Sequence, residues 1–161
     1  MGQLQLGGHA KDLGGGFTVR RLLPDAKRRA VGPFVFFDHF GPVTVHPGAG
    51  HDVRPHPHIG LATVTYLFEG AIQHRDNLGY NQTIEPGAIN WMTAGRGVVH
   101  SEMPEQQDGA MEGFQLWLNL PAKSKMQPPW YRDVQRSEVP EFTTASGVTV
   151  RVIAGTSHTP N

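Results

Sequence analysis

"RPHPHIGLATVTYLFEG", residues 54–70, is the stretch on which the reading of this chain turns. It places His56 and His58 two residues apart, each preceded by a proline, and then runs into an apolar segment. In a strand, residues i and i+2 share a face and lie roughly 6.6 Å apart along the axis. His56 and His58 then look to one side, with Pro57 turned away. Two imidazoles at that spacing can reach a common metal ion. Proline has no N–H for a sheet ladder, so Pro55 and Pro57 put the segment at a strand start or an irregular edge. They also stiffen the backbone that carries the imidazoles.

A second segment, "GVVHSEM" at 97–103, repeats the spacing with different chemistry: His100 and Glu102 are also i and i+2. Two such strands facing each other inside a barrel supply three imidazoles and one carboxylate. That donor set suits Fe(II), Mn, Ni, Cu, Co or Zn, whereas calcium and magnesium prefer oxygen ligands alone. Either pair by itself is a weak signal in a chain with nine histidines. A chance His-x-His and a surface strand end are the plainer readings of each. The weight comes from finding both pairs on separate strands.

The rest of the chain supports strands. Its 161 residues include 20 glycines and 13 prolines, too many helix breakers for a bundle. Short apolar runs recur at 17–23, 34–40, 59–68, 71–76, 81–85, 88–92, 97–103, 113–120 and 148–155, separated by turn signals such as "HPGAG", "NLGY", "EPG" and "AGRG". "FQLWLNL" alternates most cleanly, with Phe114, Leu116, Leu118 and Leu120 on one face and Gln115, Trp117 and Asn119 on the other. "LFEGAI" reads as a hairpin with Glu69-Gly70 at its tip. Helix is weakly indicated at 104–110 and 124–138. The expectation is an all-β sandwich or barrel. It forms one domain over 1–161, with a core at about 13–155 and a short tail at 156–161.

Composition narrows the function classes. Fourteen basic and 14 acidic residues give no net charge, so no direct nucleic-acid or anionic-membrane binding is expected. The basic run Lys27-Arg28-Arg29 reads as a solvated turn. There is no cysteine, hence no disulfide, thiolate ligand or cysteine nucleophile. The start, "MGQLQLGGHAKDLGGG", has no apolar signal core, position 6 is not Ser or Thr, and no run nears the roughly 20 apolar residues of a membrane span. A soluble cytoplasmic protein is the expectation.

The residues from Gly50 to Gly70, "GHDVRPHPHIGLATVTYLFEG", resemble the first cupin motif, although the acidic residue of that motif is missing near Thr63. The second motif, from Gly87, has Thr93 at its usual proline, and its histidine comes later, in "TAGRGVVHSE". These departures, with "FVFFDHFGP" and "FQLWLNLP", resemble the pirin family over about Leu13 to Gly155. The resemblance implies a cupin jelly roll with the metal on His56, His58, His100 and Glu102. It implies iron as the usual metal and, in some members, quercetin 2,3-dioxygenase activity. One branch of the family acts as a transcriptional co-regulator.

On that basis the expected function is oxygenation of a flavonol-like substrate with O₂, with Glu102 as the proton acceptor. The alternatives are a non-catalytic metal- or redox-sensing binding module, a co-regulator among them, and a metal-stabilised structural domain. Pirins usually carry a second jelly roll. Without it an apolar sheet face needs cover, so a homodimer through "WLNLP" and "VTVRVIAG" is expected.

The other histidines read more plainly. His39 is expected in packing or a turn rather than beside the ligands. His46 and His51 are expected to be exposed, and His74 to lie on the surface beside Asp76. His9 and His158 are expected in mobile ends. Trp91, Trp117 and Trp130 are expected in core or interface rather than as substrate platforms.

Overall fold

The computed structural model describes residues 3–14, 16–46, 52–105 and 109–156. Its strands are β1 (His9–Asp12), β2 (Thr18–Leu23), β3 (Phe34–Val45), β4 (Val53–His58), β5 (Leu61–Glu69), β6 (Ile72–Asp76), β7 (Asn81–Ile84), β8 (Ile89–Thr93), β9 (Val98–Pro104), β10 (Gly109–Asn119), β11 (Trp130–Val134), β12 (Glu141–Thr143) and β13 (Thr149–Arg151). A seven-stranded sheet runs β1-β2-β3-β10-β5-β8-β11, and a four-stranded sheet runs β4-β9-β6-β7. The hairpin β12-β13 stands apart from both. This is the all-β jelly roll that the strand pattern and the cupin resemblance anticipate. No helix among the described residues is long and apolar enough to cross a membrane.

The two sheets meet through apolar side chains from both. Val19, Phe40, Leu67 and Met111 of the large sheet pack with Ile72 and Ile84 of the small one, and Phe17 and Val45 complete the cluster. Met92, Ala94, Val98 and Tyr131 form a second inner cluster. A third lies on the outer face of the large sheet, where Leu116, Leu118, Trp91 and Val134 pack around Val64, Tyr66, Ile89 and Val139. Of the leucines of "WLNLP", Leu118 packs partly buried against this cluster of its own chain. Further along, Tyr66, Phe68, Phe114, Thr149, Arg151 and Ile153 line an open groove of about 610 Å³.

Several expectations need correction. "LFEGAI" is not a hairpin: β5 and β6 belong to different sheets, and the chain crosses between them at Gly70, whose φ is 83°. A Cβ there would stand 2.9 Å from the Ala110 carbonyl oxygen. The helix at 124–138 is absent. Pro128 and Pro129 break it, leaving single 3-10 turns at Ala122–Ser124 and Arg136–Glu138 with β11 between them. Of the 104–110 helix, Pro104 ends β9, Gly109 starts β10, and 106–108 lie outside the described residues. The run at 148–155 is a strand only over Thr149–Arg151. His9 is held in β1 opposite Arg21 rather than in a loose end. His51, His158 and the "PGAG" turn lie outside the described residues, while His46 is exposed. Lys27, Arg28 and Arg29 are exposed, in a turn closed by paired Asp25–Arg28 backbone hydrogen bonds.

Gly113 is closely packed in the large sheet. It sits in β10 at register shifts against both β3 and β5. A Cβ there would lie 2.5 Å from the Tyr66 carbonyl oxygen, 2.7 Å from Phe40 Cζ and 2.9 Å from Leu67 Cδ2. Two of those neighbours are core side chains and the third is backbone, so none can yield cheaply. Gly113→Ala is expected to lower stability by about 1–3 kcal/mol, read as a lower urea midpoint at unchanged m-value. An unshifted midpoint would mean that the strands part at no cost.

Candidate metal centre

β4 is an edge strand with a register irregularity between Val53 and His56, a place where Pro55 and Pro57 remove no ladder bond that the sheet needs. Its pairing with β9 sets His56 directly opposite His100 and His58 opposite Val98. β6 then pairs with the other side of β9, His74 opposite Glu102 and Asp76 opposite His100. Cross-strand partners share a face. Six side chains, His56, His58, His74, Asp76, His100 and Glu102, therefore point between the sheets.

Three imidazoles converge. Nε2 of His56 lies 3.0 Å from Nε2 of His58 and 3.1 Å from Nε2 of His100. Nδ1 of His56 donates to the Arg54 carbonyl oxygen at 2.8 Å, which leaves its Nε2 as a lone pair facing the other two. His58 and His100 are buried and His56 is half-buried. Nitrogens 3.0–3.1 Å apart are the spacing that an ion about 2.1 Å from each would give at angles near 90°. The donor chemistry and the spacing both fit a divalent transition metal.

Glu102 is buried at the edge of this cluster. Its ligand atoms group within 4.8 Å with those of His100 and His74, whereas His56, His58 and His100 form a separate group by the same measure, so His100 is shared and Glu102 is not brought together with all three imidazoles. Thr65 Oγ1 donates to its Oε1 at 2.9 Å and Gln115 Nε2 to its Oε2 at 2.5 Å. Each oxygen keeps a free lone pair. On its far side is a cavity of about 60 Å³, walled by Phe17, Val19, Phe40, Ile72 and Met111.

Gln115 and Trp117 are the residues of β10 that face this group. Trp117 meets His58 edge-on at 4.9 Å and stacks on Phe36 at 4.0 Å. Arg21 lies over the other face of this stack, 4.4 Å from the Phe36 ring, and is held by two hydrogen bonds to Asp38. Trp117 is thus a wall of the site rather than core or interface. Trp130 is 43% exposed and Trp91 belongs to the outer cluster. His39 pairs with Glu112 at 2.9 Å, away from the ligands.

His74 corrects the surface expectation most sharply: it is fully buried. Its Nε2 lies 3.1 Å from Asp76 Oδ2 and its Nδ1 lies 3.4 Å from Nδ1 of His100. Sequence reasoning missed the roles of Thr65, Gln115 and Trp117, and it paired His74 with Asp76 but put the pair on the surface rather than inside. That pair had a legible signal, since His74-x-Asp76 has the same i, i+2 spacing as His56-x-His58 and His100-x-Glu102.

Burial governs the electrostatics. It pushes His100 down to about 3, helped by the neighbouring His56 and His74 and opposed by Asp76. It likewise pushes His58 down to about 4, helped by His100 and His56 and opposed by Glu102. Both rings are neutral at pH 7, the state a metal ligand needs. The unfolded chain takes up these protons near 6.5, the folded protein only near 3–4. Below 6.5 the unfolded state therefore binds more protons, and stability falls with falling pH until about 3–4. Metal-free protein should show a lower unfolding temperature at pH 5 than at pH 7.5, and His58→Phe should flatten that slope. An equal or higher value at pH 5 would contradict the burial of neutral imidazoles.

Comparison with known proteins agrees with this architecture. The pirin family profile matches residues 16–118. A pirin-like protein of Caulobacter vibrioides is 47% identical over 151 residues, covering 90% of this chain and 52% of that protein. Pirin-like protein 2 of Arabidopsis thaliana is 44% identical over 144 residues, covering 89% of this chain and 42% of that one. A crystal structure of quercetin 2,3-dioxygenase from Acinetobacter baumannii superposes with a TM-score of 0.84 at 34% identity, over 94% of this chain and 55% of that one. The chain spans about half the length of the curated relatives it matches.

Proposed function

Because the chain belongs to the pirin family, we propose that it holds one divalent transition metal, iron in the first instance, on His56, His58, His100 and Glu102, and that it acts as a dioxygenase of the quercetin 2,3-dioxygenase type. The observation that carries this reading is the convergence of three imidazoles, with the Nε2 atoms of His58 and His100 at 3.0 and 3.1 Å from that of His56, beside a buried carboxylate. Bound there, the metal supplies Lewis acidity toward the substrate's 3-hydroxyl oxygen and a route for reaction with O₂. With three neutral imidazoles and one carboxylate, a divalent ion keeps a net positive charge. That favours an anionic substrate.

The chain's own residues do the rest. Glu102 accepts the proton of the flavonol hydroxyl. Thr65 and Gln115 hold its two oxygens in place, so that the carboxylate does not rotate as it changes protonation state. The cavity behind Glu102, at about 60 Å³, is too small for a flavonol. The substrate therefore enters where His56 is half-exposed, with the Trp117–Phe36 stack as a flat aromatic wall for its rings. Water is kept out by the same wall, which protects the deprotonated substrate until O₂ reacts and the ring opens.

A second reading, a metal- or redox-sensing binding module that engages a protein partner, is favoured by the small size of that cavity. The two separate cleanly. Protein loaded with Fe(II) without oxygen and then exposed to air should bleach the long-wavelength absorbance of quercetin with matching O₂ uptake. Glu102→Gln keeps the shape and loses both charge and base, and its rate is expected to fall by at least about 100-fold. Metal-loaded protein that leaves quercetin intact would favour the binding module. Full activity in Glu102→Gln would remove Glu102 from the chemistry.

A further inference from the structure

His100 differs from His56 in what lies behind it. His56 hydrogen-bonds a backbone carbonyl, which can only accept. His100 faces the ring of His74 instead, nitrogen to nitrogen, and neutral imidazole can donate or accept at either. The protonation pattern of His100 is therefore undetermined until His74 is determined, and His74 is determined by Asp76.

We infer that Asp76 and His74 form a buried relay that places the proton of His100 on Nδ1 and so keeps its Nε2 lone pair aimed at His56 and His58; as a device for ligand positioning it rests on the metal-centre reading above. The carboxylate of Asp76 can only accept, so His74 carries its proton on Nε2 and donates to Oδ2 at 3.1 Å. Its Nδ1 is then a lone pair. Across 3.4 Å stands Nδ1 of His100, which must be the donor. That leaves Nε2 of His100, 3.1 Å from Nε2 of His56, without a proton.

The relay is rigid at each joint. Oδ1 of Asp76 accepts from the backbone N–H of Leu78 at 2.9 Å and of Tyr80 at 3.1 Å, so the carboxylate cannot turn. The side chains of His74 and Asp76 are 1% and 0% exposed, so water does not compete. Tyr131 stacks on the His74 ring at 4.6 Å and 29°, and its hydroxyl accepts a hydrogen bond from Asn90 Nδ2 at 2.8 Å. His74 and Asp76 touch no substrate on this account. They are positioning residues.

Asp76→Asn follows as a test because the site dictates which way the amide lies. Two backbone N–H groups face the Oδ1 position and require an acceptor there, so the amide NH₂ must turn toward His74 Nε2. His74 then accepts at Nε2 and donates from Nδ1. His100 accepts at Nδ1 and carries its proton on Nε2, where the metal would bind. One nearly isosteric change inverts two tautomers.

Long-range proton–nitrogen correlation spectra of ¹⁵N-labelled, metal-free protein at neutral pH read these tautomers directly. Wild type should show His74 protonated at Nε2 and His100 at Nδ1, and Asp76→Asn should show both reversed. Cobalt(II) titration should show affinity lowered by roughly 10- to 100-fold in Asp76→Asn. Wild-type spectra with His100 protonated at Nε2 overturn the inference, whether or not the variant folds. Wild-type cobalt affinity in a folded Asp76→Asn overturns it as well. Wild-type tautomers as expected in a protein that binds no cobalt would uphold the relay and remove the metal-centre reading alone.

Discussion

The pairing of His56 with His100 across β4 and β9 is the constraint on which the rest of the site depends. Side chains opposite each other in an antiparallel ladder share a face, and so do residues two apart along one strand. From that one register follow the direction of His58 and Glu102, and through β6 the direction of His74 and Asp76. A slip of one residue would turn all six outward. The irregularity between Val53 and His56 lets an edge strand with two prolines hold this register without a complete ladder.

Placing six polar side chains between two sheets costs solvation, and the structure meets the cost by pairing them. Glu102 is held by Thr65 and Gln115, His74 by Asp76, and Asp76 by two turn amides. What remains is directional: the Nε2 atoms of three imidazoles, which among the described residues meet one another at His56. The apolar clusters around Leu67 and Met92 keep this group dry, and a dry site lowers the proton affinity of His58 and His100. The same burial that makes the site costly to fold makes it ready for a cation.

The sequence made the strands legible where alternation and turn residues agree, and made His56, His58, His100 and Glu102 legible because i, i+2 spacing is local. What crosses strands was harder. Thr65 and Gln115 are unremarkable as residues, and only the stacking of β5 and β10 beneath β9 brings them to Glu102. Trp117 looked like core because its strand is apolar, yet the leucines beside it face outward and pack under Val139. His74 looked like surface because "QHRD" is polar; β6 is in fact flanked on both sides, and its inward positions are sealed. The hairpin expected at Glu69-Gly70 failed for a topological reason: in a jelly roll, a tight Gly turn can pass the chain to the other sheet.

One ion on His56, His58 and His100, with Glu102 beside it, is what the proposed function requires. Anomalous diffraction from crystals of the iron- or nickel-loaded protein tests it directly. A single strong peak is expected about 2.0–2.2 Å from the three Nε2 atoms, with a Glu102 oxygen completing the protein ligands. A peak bound elsewhere, or full occupancy in a His58→Ala, His100→Ala double variant, would contradict it.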